Sequence, residues 1–590
     1  MPRLACLATL LLGAFACSAS AATSPLATVA EKSGFLRTGR YDEVQALCAK
    51  FQAAYPAAVR CLEFGRTPEG RPMLALVASR AGVLDAAGAR QRELPVVLIQ
   101  GGIHAGEIDG KDAGFLALRQ ILERKAAPDA LDKQVLLFVP VFNVDGHERF
   151  GKWNRPNQRG PEQMGWRTTA QNYNLNRDYA KADSPEMQAM LALVGEWDPI
   201  ATIDLHVTDG AKFEHDVSIQ VEPLHAGNPG LRKAGTMLRD LVISDLRQSG
   251  SMPLEIYPSF VVNDEPSSGF ADGVSAPRFS TGYFHLRNRF GMLVETHSWK
   301  DYPTRVRITR NAVVSVLRQL AEHGTEWLRL AHEADQWSSR LGGENVDLDF
   351  LANTKSRIVD FRGYAYTRTP SEVSGALMTR YDERKPQVWK IPLRYDIQAT
   401  VTERAPLGGY IVPAAHAVLV GAKLGQHGVV FRTLGEARPG AAVETFRAST
   451  AVLETKSIEG HQRLKLEGRW QPEKRDIGAG SLFVPIAQPL ARLAMALLEP
   501  RAPDSLAAWG EFNNAFEQKE YMEDYVAENV ARKQLAADPA LAAQFAARLS
   551  NDPAFASSPA ARLEFFARRH SSWDERYQLY PVYRTNAAPH

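Results

Sequence analysis

The chain has 590 residues, 45% of them apolar, with 69 Lys and Arg against 67 Asp and Glu for a formal charge of +2. That length exceeds what one hydrophobic core ordinarily serves, so two or more domains are expected. The balanced charge, without a run of five basic residues, argues against a nucleic-acid or acidic-membrane partner.

The first element is a leader. "MPRLACLATLLLGAFACSASAATSPL" has one early arginine, an apolar stretch from Leu4 to Ala16 and small residues beyond it, the pattern of a secretory signal over residues 1–22. The stretch is shorter than a bilayer requires and no later one is long enough, so no membrane span is expected and the mature chain is read as exported, periplasmic or secreted. Cleavage removes Cys6 and Cys17 and leaves Cys48 and Cys61 in an oxidising compartment, where they are natural disulfide partners. The alternative is a pair of reduced, buried thiols.

From residue 41 to about 340 helical and strand patterns alternate. "EVQALCAKFQAAY" has helical spacing, "PMLALVAS" and "LPVVLIQ" read as buried strands, and "DAGFLALRQILER" is helical again. "QVLLFVPVFN" is a strand, "SPEMQAMLALVGEW" a helix capped by Ser184 before Pro185, and "IATIDLHV" a strand. "LRKAGTMLRDLVISDLRQ" is helical, "FGMLVETH" strand-like, and a long helix runs from about Arg305 towards Leu341. Such alternation predicts an α/β domain with a mixed, largely parallel sheet flanked by helices.

Beyond residue 345 the texture changes. "VWKIPLRYDIQATVTE", "GGYIVPAAHAVLVG", "HGVVFRTL" and "TFRASTAVLETKSIEG" are rich in β-branched residues and turn punctuation, which predicts a β-rich domain. After "RLAMALLEP" the chain reads as helical, with Asp538-Pro539, Asp552-Pro553 and Ser558-Pro559 each suited to start a helix.

The chemistry gathers at strand ends. "GGIHAGEIDG" puts His104 and Glu107 just past "LPVVLIQ", at the edge of the sheet where ligands usually bind. Three residues apart in a turn, an imidazole and a carboxylate can face one metal ion. A catalytic zinc site needs a third protein ligand and one open position, and His206 at the end of "IATIDLHV" is the best candidate. Asp204 and His297 share strand faces with His206 and Glu295, and each reads either as a supporting partner or as an ordinary strand-end polar group. Gly-x-Ser-x-Gly, His-Glu-x-x-His, phosphate-loop and dinucleotide motifs are missing.

Taken in order, "GRTPEGRPMLALVAS", the His104–Glu107 pair, "NVDG", "NLNRD" and "LVETH" closely resemble the zinc carboxypeptidases of the carboxypeptidase A and B family, the M14 or funnelin peptidases, over about Tyr41 to Glu333. The resemblance implies one zinc ion per chain held by His104, Glu107 and His206, with Glu295 as the catalytic glutamate. It further implies Arg167 in "GWRTT" as the oxyanion-stabilising arginine, and Asn176 and Arg177 as the clamp on a peptide's terminal carboxylate. Arg155 and Arg159 lie close by in sequence. The pattern departs in two places. Asn174 stands where the family has an aspartate supporting the first zinc histidine, and the family's substrate-facing tyrosine has no counterpart between Tyr257 and Tyr283, leaving Tyr283 in "FSTGYFHLRNRFG" as the nearest candidate.

The expectation is an exported zinc metallocarboxypeptidase acting on peptides with a free C-terminal carboxylate. It comprises a leader at 1–22, a catalytic domain at 23–343, a β-rich accessory domain at 344–500 and a helical segment at 501–590. Two alternatives share these residues: an N-acyl amino acid or amide hydrolase on the same scaffold, and a non-catalytic protein that binds peptide or cell-wall ends. The second has no need of a general base such as Glu295.

Overall fold

The computed structural model describes residues 24–208 and 210–589; the expected leader lies outside them. An eight-stranded sheet forms the first part of the chain. In chain order its strands are β1 (Val59–Arg66), β2 (Pro72–Ala78), β3 (Val96–Gly101), β4 (Val135–Val139), β5 (Ala201–Val207), β6 (Val217–Glu222), β7 (Pro253–Leu254) and β8 (Phe290–Thr296). In space the order is β1-β2-β4-β3-β5-β8-β6-β7. The four central strands β4, β3, β5 and β8 run parallel; β1 and β2 pair antiparallel with their neighbours, and β6 is antiparallel to β8 and parallel to β7.

Every residue of β3, β4 and β5 is buried. β3 and β4 accordingly read in the sequence as apolar runs, whereas β5 alternates, with Thr202, Asp204 and His206 set between Ala201, Ile203, Leu205 and Val207. Helices supply the cover: α1 (Tyr41–Ala54), α2 (Asp109–Leu122), α3 (Pro185–Trp197), α4 (Pro229–Gln248) and α5 (Tyr302–Ser338). Ser184 caps α3 by accepting from the Met187 amide at 3.2 Å, ahead of Pro185 in the first turn. The 37 residues of α5 extend about 55 Å; Asp301 caps it, and it packs along α2 and α4 with Val306, Val313, Leu317 and Leu320 turned inward. Cys48 of α1 and Cys61 of β1 form a disulfide with Cα atoms 5.4 Å apart.

The second part is β-rich. Its strands are β9 (Asn345–Ala352), β10 (Ser356–Pro370), β11 (Leu377–Arg394), β12 (Ile397–Arg404), β13 (Gly409–Val412), β14 (Arg432–Thr433), β15 (Arg438–Leu453), β16 (Leu464–Ile477) and β17 (Leu482–Pro485). Between β13 and β14 lies α6 (Ala417–Gln426), in a stretch expected to be β-rich throughout; Val420 and Leu424, four apart, face inward as a helix requires. Helices follow at α7 (Asp524–Ala537), α8 (Pro539–Asn551), α9 (Pro553–Ser557) and α10 (Pro559–Ala567), the last three capped by Asp538, Asp552 and Ser558 as expected. They enclose a small core of Leu541, Phe555, Phe565 and Phe566.

The tail is not helical to its end. β18 (Tyr583–Thr585) returns to the second sheet, whose order is β14-β17-β13-β18-β15-β16. Its Arg584 is buried between Glu403 and Glu499, with nitrogens 2.9 Å from an oxygen of each. Among the described residues no helix is long and apolar enough to cross a membrane.

Candidate active site

Three parallel strands end at the same edge of the first sheet, and each delivers one part of the site. β3 ends at Gly101, and Gly102, at φ +63°, turns the chain away from the sheet. A backbone bond from the Glu107 amide to the His104 carbonyl, 2.9 Å, closes a turn that sets both side chains on one side. Gly106 inside this turn is a close approach: a Cβ there would lie 2.6 Å from Cγ of Arg155 and 2.7 Å from the Gly165 carbonyl. The turn is braced from below by Asp109, which holds the fully buried Arg305 of α5 at 2.8 Å and accepts from Thr296 of β8 at 3.2 Å.

Glu107 is the hub. One carboxylate oxygen lies 2.9 Å from Nδ1 of His104 and 2.8 Å from Nη2 of Arg155; the other lies 3.0 Å from Nδ1 of His206 and accepts from the Val207 amide at 3.0 Å. Burial pushes the Glu107 pKa up, but Arg155 and the two imidazoles outweigh it and hold the carboxyl ionised, well below the usual range. Burial also lowers His104 to about 4, keeping it neutral and able to offer a lone pair.

The donor set of His104, Glu107 and His206 fits a zinc ion. Two imidazole nitrogens and a carboxylate oxygen lie within 4.8 Å of one another and all three residues are buried, which is the ligand chemistry of a catalytic zinc centre with a position left for water. The far nitrogen of each ring is also supported: Nε2 of His104 lies 3.2 Å from Oδ1 of Asn174, and Nε2 of His206 lies 3.0 Å from Oδ2 of Asp204. Asn174 thus meets His104 through its amide, and Asp204 supplies a charge to the second histidine. His297 faces elsewhere, stacked on Phe213 with ring centres 4.0 Å apart and bonded through Nδ1 to Thr208. A second grouping, Asp183, His461 and Glu511, also meets the distance condition. Its Asp183 already holds the ammonium groups of Lys181 and Lys423, so that place is filled by protein cations.

A cavity of about 390 Å³ opens over the centre. His104, Glu107, His206, Glu295, Arg167, Asn176 and Arg177 all line it. Glu295 pairs with His206 across adjacent parallel strands. Arg167 lies 3.9 Å from Glu107, whereas Arg155 is buried against Glu107 from behind and Arg159 is paired with Glu383 of β11. Arg177 lies over the Phe279 ring, 4.4 Å from its centre, and donates to the Asn176 carbonyl at 2.7 Å. Asn174 caps this short turn by accepting from the Asn176 amide at 3.1 Å.

Tyr283 is not in the cavity. It is fully buried in a short helix, Ser280–Phe284, with its hydroxyl 3.0 Å from Nδ1 of His427 and its ring against Tyr179. The cavity tyrosine is Tyr257, with Ser259 beside it. Residues 255–279 form a long, mostly irregular excursion that contributes Tyr257, Ser259 and Phe279 to the cavity lining, and Pro258 in "EIYPSF" is the turn signal near its start.

The family model Peptidase_M14, described as zinc carboxypeptidase, matches residues 44–216. Residues 44–216 are thus similar to the zinc carboxypeptidase family. His104, Glu107 and His206 fall inside the matched part, and Glu295 lies beyond it. No curated protein matches the chain. Among solved structures, a metallo-carboxypeptidase from Burkholderia cenocepacia is 17% identical, with 47% of this chain and 68% of that one covered and a TM-score of 0.34. Carboxypeptidase A from Helicoverpa armigera is 16% identical over 51% and 75% of the two chains, TM-score 0.36. Thrombin-activatable fibrinolysis inhibitor is 14% identical over 51% and 77%, TM-score 0.38.

Proposed function

We propose that the protein is an exported metallocarboxypeptidase that removes the last residue of peptides, with one zinc ion held by His104, Glu107 and His206. The observation that carries this reading is the sharing of one cavity by that ligand set, Glu295 and the Asn176–Arg177 pair. A zinc ion bound there supplies Lewis acidity and lowers the pKa of water.

The chain's own groups do the rest. Arg177, lying on Phe279, and Asn176 bind the substrate's terminal carboxylate, which fixes the final peptide bond over the centre. Glu295 takes a proton from the attacking water and returns it to the leaving amine. Arg167 donates to the carbonyl oxygen as negative charge grows on it. Residues 23–343 form the catalytic domain in this reading, with 344–500 as β-rich accessory domain and 501–590 as C-terminal segment. The Cys48–Cys61 disulfide supports export, since such bonds persist in oxidising compartments.

The test is to quantify zinc in the purified mature chain and to assay a peptide with a free C-terminus against its C-terminal amide, with and without chelator. One zinc per chain and chelator-sensitive release of the last residue from the acid alone is the expected result. Zinc with equal turnover of acid and amide points instead to an amide hydrolase on the same scaffold. Absence of zinc removes the reading.

A further inference from the structure

The hairpin of β15 and β16 reaches from the second sheet to the segment that carries Asn176 and Arg177. Its connection, residues 454–463, closes in a tight turn in which Ile458 and His461 exchange both backbone hydrogen bonds, 2.9 and 3.0 Å. Two residues at the tip sit in the left-handed region, Gly460 at φ +81° and Glu459 at φ +52°. Glycine adopts that conformation freely, but glutamate does so at a cost and persists there when its surroundings hold it.

Those surroundings lie in the catalytic domain. An oxygen of the Glu459 carboxylate accepts from the Asn174 backbone amide at 3.2 Å. Two residues on, Nε2 of His461 lies 2.7 Å from Asp183, while its Nδ1 lies 2.8 Å from the Trp509 carbonyl. Lys423 of α6 meets the same Asp183 at 2.7 Å. The segment from Asn174 to Asp183 is thus gripped at both ends by residues beyond 416, and the clamp pair lies between the grips. Glu459 is half-buried although residues 452–458 around it are exposed. Its charge also acts on Arg177, opposing the burial and the neighbouring Arg167 and Arg278 that press the guanidinium pKa down.

We propose that Glu459 is a positioning residue of the active site: from the β-rich part of the chain it fixes the Asn174–Arg177 turn, so that capture of the substrate's terminal carboxylate depends on that part. This rests on the carboxypeptidase reading above. It assigns the accessory domain a task in substrate recognition, performed without touching substrate. A positioning role of this kind affects binding of the carboxylate and leaves proton transfer at Glu295 alone.

The experiment uses the full, zinc-loaded chain. In a Glu295→Gln background, binding of a peptide acid and of its amide is measured by calorimetry; in the active chain, KM and kcat are measured for the acid. Tighter binding of acid than amide in the background is expected. Adding Glu459→Ala is expected to weaken the acid about tenfold, as for one lost hydrogen bond to a charged group, and to leave the amide unchanged. Glu459→Gln, which keeps an acceptor oxygen, is expected to restore most of the loss. In the active chain the change is expected in KM, with kcat within about twofold. If acid binding is the same with and without Glu459 while acid and amide are still told apart, the proposal is overturned and the clamp survives. If the background does not distinguish acid from amide, the clamp itself is wrong and the proposal falls with it. If both Glu459 variants lose acid and amide binding alike together with melting temperature, Glu459 is merely structural and the proposal is likewise overturned.

Discussion

Glu295 and His206 occupy paired positions on adjacent parallel strands, so their side chains leave the sheet on the same face and at the same height. In the proposed function, that relationship holds the proton acceptor Glu295 beside the metal ligand His206 without making it one.

Glu295→Gln is accordingly expected to retain zinc and to lose about 10²- to 10⁴-fold in kcat, the range for a lost general base. His206→Ala is expected to lose the metal as well. Zinc analysis of both variants beside their turnover checks this; a Gln variant with near-normal kcat removes Glu295 from the mechanism.

Asp204 bears on the same histidine from the other side, its carboxylate also accepting from Ser280 at 2.7 Å. Asp204→Asn keeps the shape and removes the charge. Zinc affinity, measured by competition with a chelator, is expected to fall about 10- to 100-fold, with the melting temperature of the zinc-saturated chain nearly unchanged.

His461 gives the grip on Asp183 a pH dependence. The Asp183 bond raises the His461 pKa above its ordinary value, against the effect of burial. A histidine raised in the folded state contributes stability that is fully present below its unfolded pKa of about 6.5 and is lost as pH rises through the folded value. Urea midpoints of the wild-type chain are expected to decline from about pH 6.5 upward, and His461→Gln to flatten that decline; parallel profiles would show that the pair carries no linkage.

The Cys48–Cys61 bridge closes a short loop between α1 and β1, away from the cavity. In the chain-entropy model a loop of this length contributes about 3 kcal/mol. Replacing both cysteines by serine is expected to lower unfolding free energy by about that amount in urea titrations, with KM and kcat for a peptide acid unaltered.

The parallel core was legible because burial on both faces makes a strand a continuous apolar run, as in β3, β4 and the start of β8, while β5 showed itself by strict alternation of apolar and polar residues. β1 and β6 were not legible. β1 pairs on one side only and carries a mixed burial pattern, and β6, which contributes Gln220 to the cavity, is a stretch of only six residues. Tyr257 was missed because an irregular excursion has no period to count along. The meeting of Glu459 with Asn174 spans 285 residues of chain, and no local propensity encodes such a contact. α6 was hidden by the β-branched residues that flank it, which decided the texture of the stretch.

β18 lies inside the second sheet, between β13 and β15. A ribosome or export channel delivers the chain in order, so β13 and the β15–β16 hairpin are both out while the rung between them is still to come. Until residue 585 has emerged, the hairpin bearing Glu459 hangs from an open edge.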